Sequence, residues 1–132
     1  VIASQSQSTT WTLFDLLGSS LFLCGFFIES ISDWQLLRFK SNKKNKGLVL
    51  TSGLWSFSRH PNYFGDSLVW WGVFFIALSL PYGILSIIGP ITMTYLLLKV
   101  SGADLLEKKL KTSKVRYNEE TKHIPKFFPR LK

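Results

Sequence analysis

The chain's densest collection of ligand-gripping side chains lies in the stretch GLWSFSRHPNYFGD, residues 53–66. There Arg59, His60, Asn62, Tyr63 and Asp66 fall between a lysine-rich segment and a long apolar run. Polar groups beside a membrane-length segment are costly unless paired, so they mark a site. A guanidinium at Arg59, together with Lys40, Lys43 or Lys44, supplies a grip for phosphates. The amide and phenol of Asn62 and Tyr63 supply hydrogen bonds, and Asp33 or Asp66 supplies an acceptor for ribose hydroxyls. Pro61 disfavours helix at His60 and suits the first turn of a helix that begins there. Asn62 and Asp66 are four apart, hence on one face of that helix near its N-terminus, where free backbone N–H groups bind anions.

Three apolar runs must position these residues. Residues 11–28 are uncharged apart from Asp15 and just long enough to cross a bilayer. Thr9 or Thr10 is the candidate cap of that helix. The helical pattern continues through ESISDWQLLRFK, where Glu29, Asp33, Leu36 and Lys40 share a face, which makes Glu29 and Asp33 candidates for a site at the membrane boundary. Gly47 and Gly53 bound a polar loop. The second run, residues 62–80, carries a charge only at Asp66. A tight turn at Pro81, Tyr82 and Gly83 leads into a third span, residues 82–100, with Gly89 and Pro90 in its middle, where a proline frees a carbonyl and kinks the helix. An amphipathic helix over ADLLEKKLK follows, and Phe127 and Phe128, set between Pro125 and Pro129, read as an extended tail laid on an apolar surface. The expected fold is all-α: one membrane domain over residues 1–132, a polytopic helical bundle of about three transmembrane helices plus the amphipathic C-terminal helix.

The charge pattern sets the topology. The chain has 132 residues, is 46% hydrophobic and carries a formal net charge of +8. All 16 Lys and Arg fall in two blocks, residues 38–59 and 99–132. With three spans both blocks lie on one side, which the positive-inside rule makes cytosolic. The expected location is therefore an integral, multi-pass membrane protein with its site facing the cytosol, in the endoplasmic reticulum if eukaryotic or the inner membrane if bacterial. A nucleic-acid interface requires aromatics interleaved with the basic residues, and here most aromatics lie in uncharged runs. One Cys and two His, His60 and His123, make no zinc spacing, so no metal site is expected. P-loop, GxSxG and GxGxxG motifs are absent. Cys24, the single cysteine, reads as a small apolar side chain. The start at Val1, without an initiating Met, reads as a fragment.

The strings ISDWQLLRF, GLWSFSRHPNYFGDSLVWWG, LLLKVSGADLLEKK and RYNEETKHIPKF resemble, in order and spacing, the C-terminal part of the steroid 5-alpha-reductase-like membrane family, and in particular its DUF1295 branch. The central motif resembles the S-x-x-x-N-[YF]-x-G-[ED] segment that contacts NADPH in those reductases. The resemblance implies that Asn62, Tyr63, Gly65 and Asp66 line a cofactor pocket, Gly65 by allowing close backbone approach. It also implies that Asp33 reaches the cofactor, with Arg38 as a basic partner, beside Arg59 and His60. Where the reductases carry an Arg- and His-rich run before the tail, this chain has Lys99 followed by SGADLLE. The family's proton-donating Tyr and Glu belong to helices N-terminal to this sequence, so no catalytic residue is carried over.

The same Arg59-His60-Pro61 with Tyr63 and Gly65 also resembles the R-H-P-x-Y-x-G motif of isoprenylcysteine carboxyl methyltransferases, which hold S-adenosylmethionine there. Three functions follow as expectations. The first is an NADPH-dependent membrane reductase acting on a carbon–carbon double bond of a lipid-like steroid, sterol or enone substrate, of which this chain is the cofactor half. The second is a methyltransferase using S-adenosylmethionine in the same pocket. The third is a non-enzymatic membrane scaffold fragment.

Overall fold

The computed structural model describes residues 12–100, 110 and 117–130, and among these every regular element is helical. Helix α1 (Leu13–Ser41) runs 29 residues without interruption, about 43 Å at 1.5 Å per residue. It is the one described helix long and apolar enough to cross a membrane. Its start lies later than the expected caps, at Thr12, where a capping box forms. Thr12 Oγ1 accepts from Asp15 N–H at 3.1 Å and the Asp15 carboxylate accepts from Thr12 N–H at 3.0 Å. This gives the lone charge of the first apolar run its role. Thr9 and Thr10 lie outside the described residues.

Helix α2 (Pro61–Ala77) begins at the proline, with His60 held out of helical geometry at φ −137°. It returns antiparallel along α1. Ser79 donates to Asp15 at 2.9 Å at one end, and Asn62 Nδ2 donates to Asp33 at 3.1 Å at the other. The seam between them is made of very small residues at a spacing of seven. The buried residues of α1 are Gly18, Gly25 and Ser32, and Gly72 and Gly65 of α2, also buried, face the two glycines. A Cβ on Gly25 would stand 2.5 Å from the Gly65 carbonyl oxygen, and one on Gly18 would stand 2.5 Å from that of Gly72. The two backbones therefore touch, as in membrane helix pairs that associate through small residues. A repeat of seven keeps one seam facing its partner along the whole length. The larger side chains of α1, among them Leu16, Phe26, Phe27 and Leu37, are left pointing outward.

The turn at Leu80–Gly83 follows the sequence expectation, with Tyr82 in the left-handed region at φ 61°. The third apolar stretch differs from it. A 3-10 turn (Gly83–Ile87) leads into α3 (Ile88–Tyr95), which winds on as a π-helical turn (Leu96–Val100). The helical stretch Gly83–Lys99 is shorter than α1 and lies at the lower limit of the length of a span. Pro90 sits in the first turn of α3, where its missing N–H has no helical partner to lose, so it starts a helix rather than kinking one. Trp71 Nε1 donates to Thr94 at 3.0 Å and ties α3 back onto α2. Of the amphipathic helix expected over residues 103–111, only Leu110 is among the described residues.

Candidate functional site

The open end of the α1–α2 hairpin is closed by a loop and by the tail. The 3-10 turn Gly53–Ser56 is pinned on α1: Leu54 N–H donates to Gln35 at 3.1 Å and the Trp55 indole donates to the Ser32 carbonyl at 3.1 Å. Gly53, at φ 62°, fits there because the Gln35 amide fills the space a side chain would need. The short helix α4 (Tyr117–Thr121) and the tail to Arg130 then lie against residues 57–60. Arg59 N–H donates to the Pro125 carbonyl at 2.8 Å, Arg130 N–H to that of Phe57 at 3.1 Å, and the Ser58 hydroxyl to that of Phe127 at 2.7 Å. Phe127 is buried edge-on against Phe64, at 5.9 Å between ring centroids. The tail is therefore laid on an apolar surface, as its aromatic pair and flanking prolines predict, although Phe128 remains largely exposed.

Between α1, the loop and the tail opens a cavity of about 180 Å³. Leu36, Val49, Leu50, Trp55, Leu110 and Ile124 make its apolar wall, and Lys40, Arg59 and His60 line it with basic groups, next to Tyr117 and Thr121. His60 is 1% exposed and stacks nearly parallel on Tyr63, with centroids 5.4 Å apart. Arg59 has a positioning role: its Nε donates to the Thr121 carbonyl at 3.2 Å and to that of Ile124 at 2.7 Å, which fixes the tail side of the cavity. Burial, and then the charges of Lys99 and Arg59, hold the Lys126 ammonium below its usual pKa range, so positive charge is concentrated at this end.

The residues expected to share one pocket separate into three places. Arg59 and His60 line the cavity, and Tyr63 supports His60 from behind. Asp33, Asn62 and Asp66 gather instead at the edge of the α1–α2 seam, where Asp33, Asp66 and Glu29 are near enough to repel one another. The Oδ1 atom of Asn62 is buried and has no hydrogen-bond partner among the described residues. Gly65 does not offer its open face to a cavity: a Cβ there would meet the Glu29 N–H at 2.6 Å, so its lack of a side chain serves the approach of α1. Arg38 does not pair with Asp33. Its guanidinium stacks over the Trp34 ring, 5.4 Å from the centroid. No group of three metal-ligating side chains occurs among the described residues.

Sequence reasoning missed Trp55, Tyr117, Thr121 and Ile124 as cavity residues. The available signal was the tail itself, whose aromatic pair had to rest on something close to the motif.

A family model described as "Protein of unknown function (DUF1295)" matches residues 1–123, and the chain belongs to this membrane protein family. No curated protein and no solved structure matches the chain.

Proposed function

We propose that this DUF1295 protein is the cofactor-binding part of a polytopic membrane reductase that uses NADPH to reduce a carbon–carbon double bond of a lipid-like substrate. The observation that carries the reading is the cavity, in which Arg59 and His60 of the central motif stand with Lys40 beside an otherwise apolar wall. Cations against apolar and aromatic side chains suit a ligand with both a phosphate and a planar ring. At about 180 Å³ the cavity accommodates one ring-sized part of a dinucleotide, so the rest lies outside it.

When bound, NADPH would supply the hydride. The chain's own residues hold and orient. Lys40 and Arg59 neutralise phosphate, His60 is fixed by its stack on Tyr63, and the tail excludes water from the apolar wall. In this reading α1, α2 and the Gly83–Lys99 stretch cross the bilayer as three spans, with the loop and the tail both cytosolic. The junction of loop and tail at one end of the hairpin supports that arrangement.

The test is equilibrium binding of NADPH and of S-adenosylmethionine to the full-length protein purified in detergent. Saturable NADPH binding, weakened by Lys40→Gln at unchanged folding, is expected. Saturable S-adenosylmethionine binding without NADPH binding overturns the reading in favour of a methyltransferase. Absence of both, with Asn62→Ala and Asp66→Ala silent, favours a scaffold.

A further inference from the structure

A second hollow, which shares only Lys40 with the Arg59 cavity, lies where α1 ends. It is walled by Lys40, Lys43 and Lys46, by Asn42 and Asn45 between them, and by Phe39. The three lysines stand three apart in the sequence, Lys40 in the last turn of α1, Lys43 in the 3-10 turn (Lys43–Asn45) and Lys46 just after it.

These lysines are not employed in closing the helix. Asn45 Nδ2 and Asn42 N–H both donate to the Phe39 carbonyl, Ser41 donates to that of Arg38, and Asn42 Oδ1 accepts from Lys44 N–H. The helix end is capped by neutral groups, and the three lysines that line the hollow take no part in it. Among the described residues none of the three is paired with a carboxylate, and all are exposed. The segment carries no acidic residue between Asp33 and the end of the turn.

Its place in the fold names the ligand. The hollow sits at the end of α1, among the described residues the one helix long and apolar enough to cross a membrane, a turn and a half beyond Trp34, which is 56% exposed and carries Arg38 on its face. Exposed tryptophan at a helix end marks the bilayer interface. Lysine clusters immediately past such a helix meet anionic lipid headgroups.

We propose that the Lys40, Lys43 and Lys46 hollow is a binding site for the phosphate-bearing headgroup of an anionic phospholipid. Three ammonium donors surround the phosphate and the two asparagine side chains border the site, while the lipid's chains remain in the bilayer beside Trp34 and Leu37. The site shares Lys40 with the cofactor cavity, but Lys43 and Lys46 line this hollow and not that one, so their single variants test it apart from the cofactor reading.

The experiment is titration of the full-length protein, in phosphatidylcholine nanodiscs, with dioctanoyl phosphatidic acid, and with inorganic phosphate in a parallel arm. Saturable lipid binding is expected, weakened about fivefold by Lys43→Gln or Lys46→Gln and on the order of a hundredfold by the Lys40/Lys43/Lys46 triple Gln variant. Lys44→Gln removes the same charge one residue away but does not line the hollow, so it should weaken binding less than Lys43→Gln. Equal losses at Lys43 and Lys44 overturn the site in favour of diffuse surface charge. Phosphate binding as tightly as the lipid overturns the lipid headgroup as its ligand. The triple variant's retention of wild-type lipid affinity overturns the proposal altogether. An unchanged circular dichroism spectrum and unfolding temperature establish that each variant is folded.

Discussion

The two ends of the residue 53–66 motif are held by opposite means. Along the α1–α2 seam, Gly18, Gly25, Gly65 and Gly72 let backbone meet backbone, and nothing fits between. At the loop-and-tail end, Ser58, Arg59 and Trp55 reach out with side chains to carbonyls of distant segments, and a cavity is left between the parts they join. Close packing gives stiffness without room. Hydrogen bonds at arm's length give room, with the walls fixed by donors that each have a named acceptor. One motif contributes to both, and that is why its residues do not converge on a single pocket.

The sharpest way to break this contrast is to put a side chain into the seam. Gly25→Leu drives carbon into the Gly65 carbonyl and should destabilise the protein by at least about 3 kcal/mol, read as a lower unfolding temperature in detergent. Gly89→Ala is the control: a Cβ there meets only the Trp70 ring at 3.6 Å, so a change within about 0.5 kcal/mol is expected. Equal effects at the two glycines would mean that the seam is not close-packed.

At the other end, Arg59→Ala removes the donor that two tail carbonyls share. A loss of about 1.5 to 3 kcal/mol is expected, with faster proteolysis after residue 117, and Arg59→Lys should restore only part of it because one ammonium cannot reproduce the guanidinium geometry. If protease sensitivity of the tail is unchanged, the tail is held by Phe127 alone. Trp55→Phe keeps an aromatic side chain but loses both the bond to Ser32 and part of the buried indole volume, for about 1 to 2 kcal/mol by chemical denaturation. The smallest effect belongs to Glu119→Gln, which breaks the solvent-exposed pair with Lys122 at 3.3 Å. Its stability should be indistinguishable from wild type, since exposed pairs of this kind contribute little.

Much of this architecture is written locally. Pro61 fixes where α2 starts, Pro81 to Gly83 fix the turn, and the uncharged run after Asp15 gives α1 its length. The spacing of Gly18 and Gly25 against Gly65 and Gly72 was present in the sequence as well. It is easily overlooked, because a seven-residue repeat of small residues resembles ordinary apolar composition until a partner helix gives it a face. The expected kink at Pro90 failed for a similar reason: a proline mid-run can interrupt a helix or begin one, and only the 3-10 turn before it decides which.

The sequence by itself determined the helical elements, their polar and apolar ends, the gathering of basic residues beside the motif and membership of a membrane family, because those follow from composition, spacing and turn chemistry. The tertiary structure alone decided which motif residues meet. The choice of Gly65 for α1 rather than for a ligand, the use of Arg59 to fasten the tail, and the pairing of Asn62 with Asp33 depend on contacts across roughly 30 to 65 residues of chain. Such contacts are set by how the helices dock, which no local pattern around residues 53–66 contains.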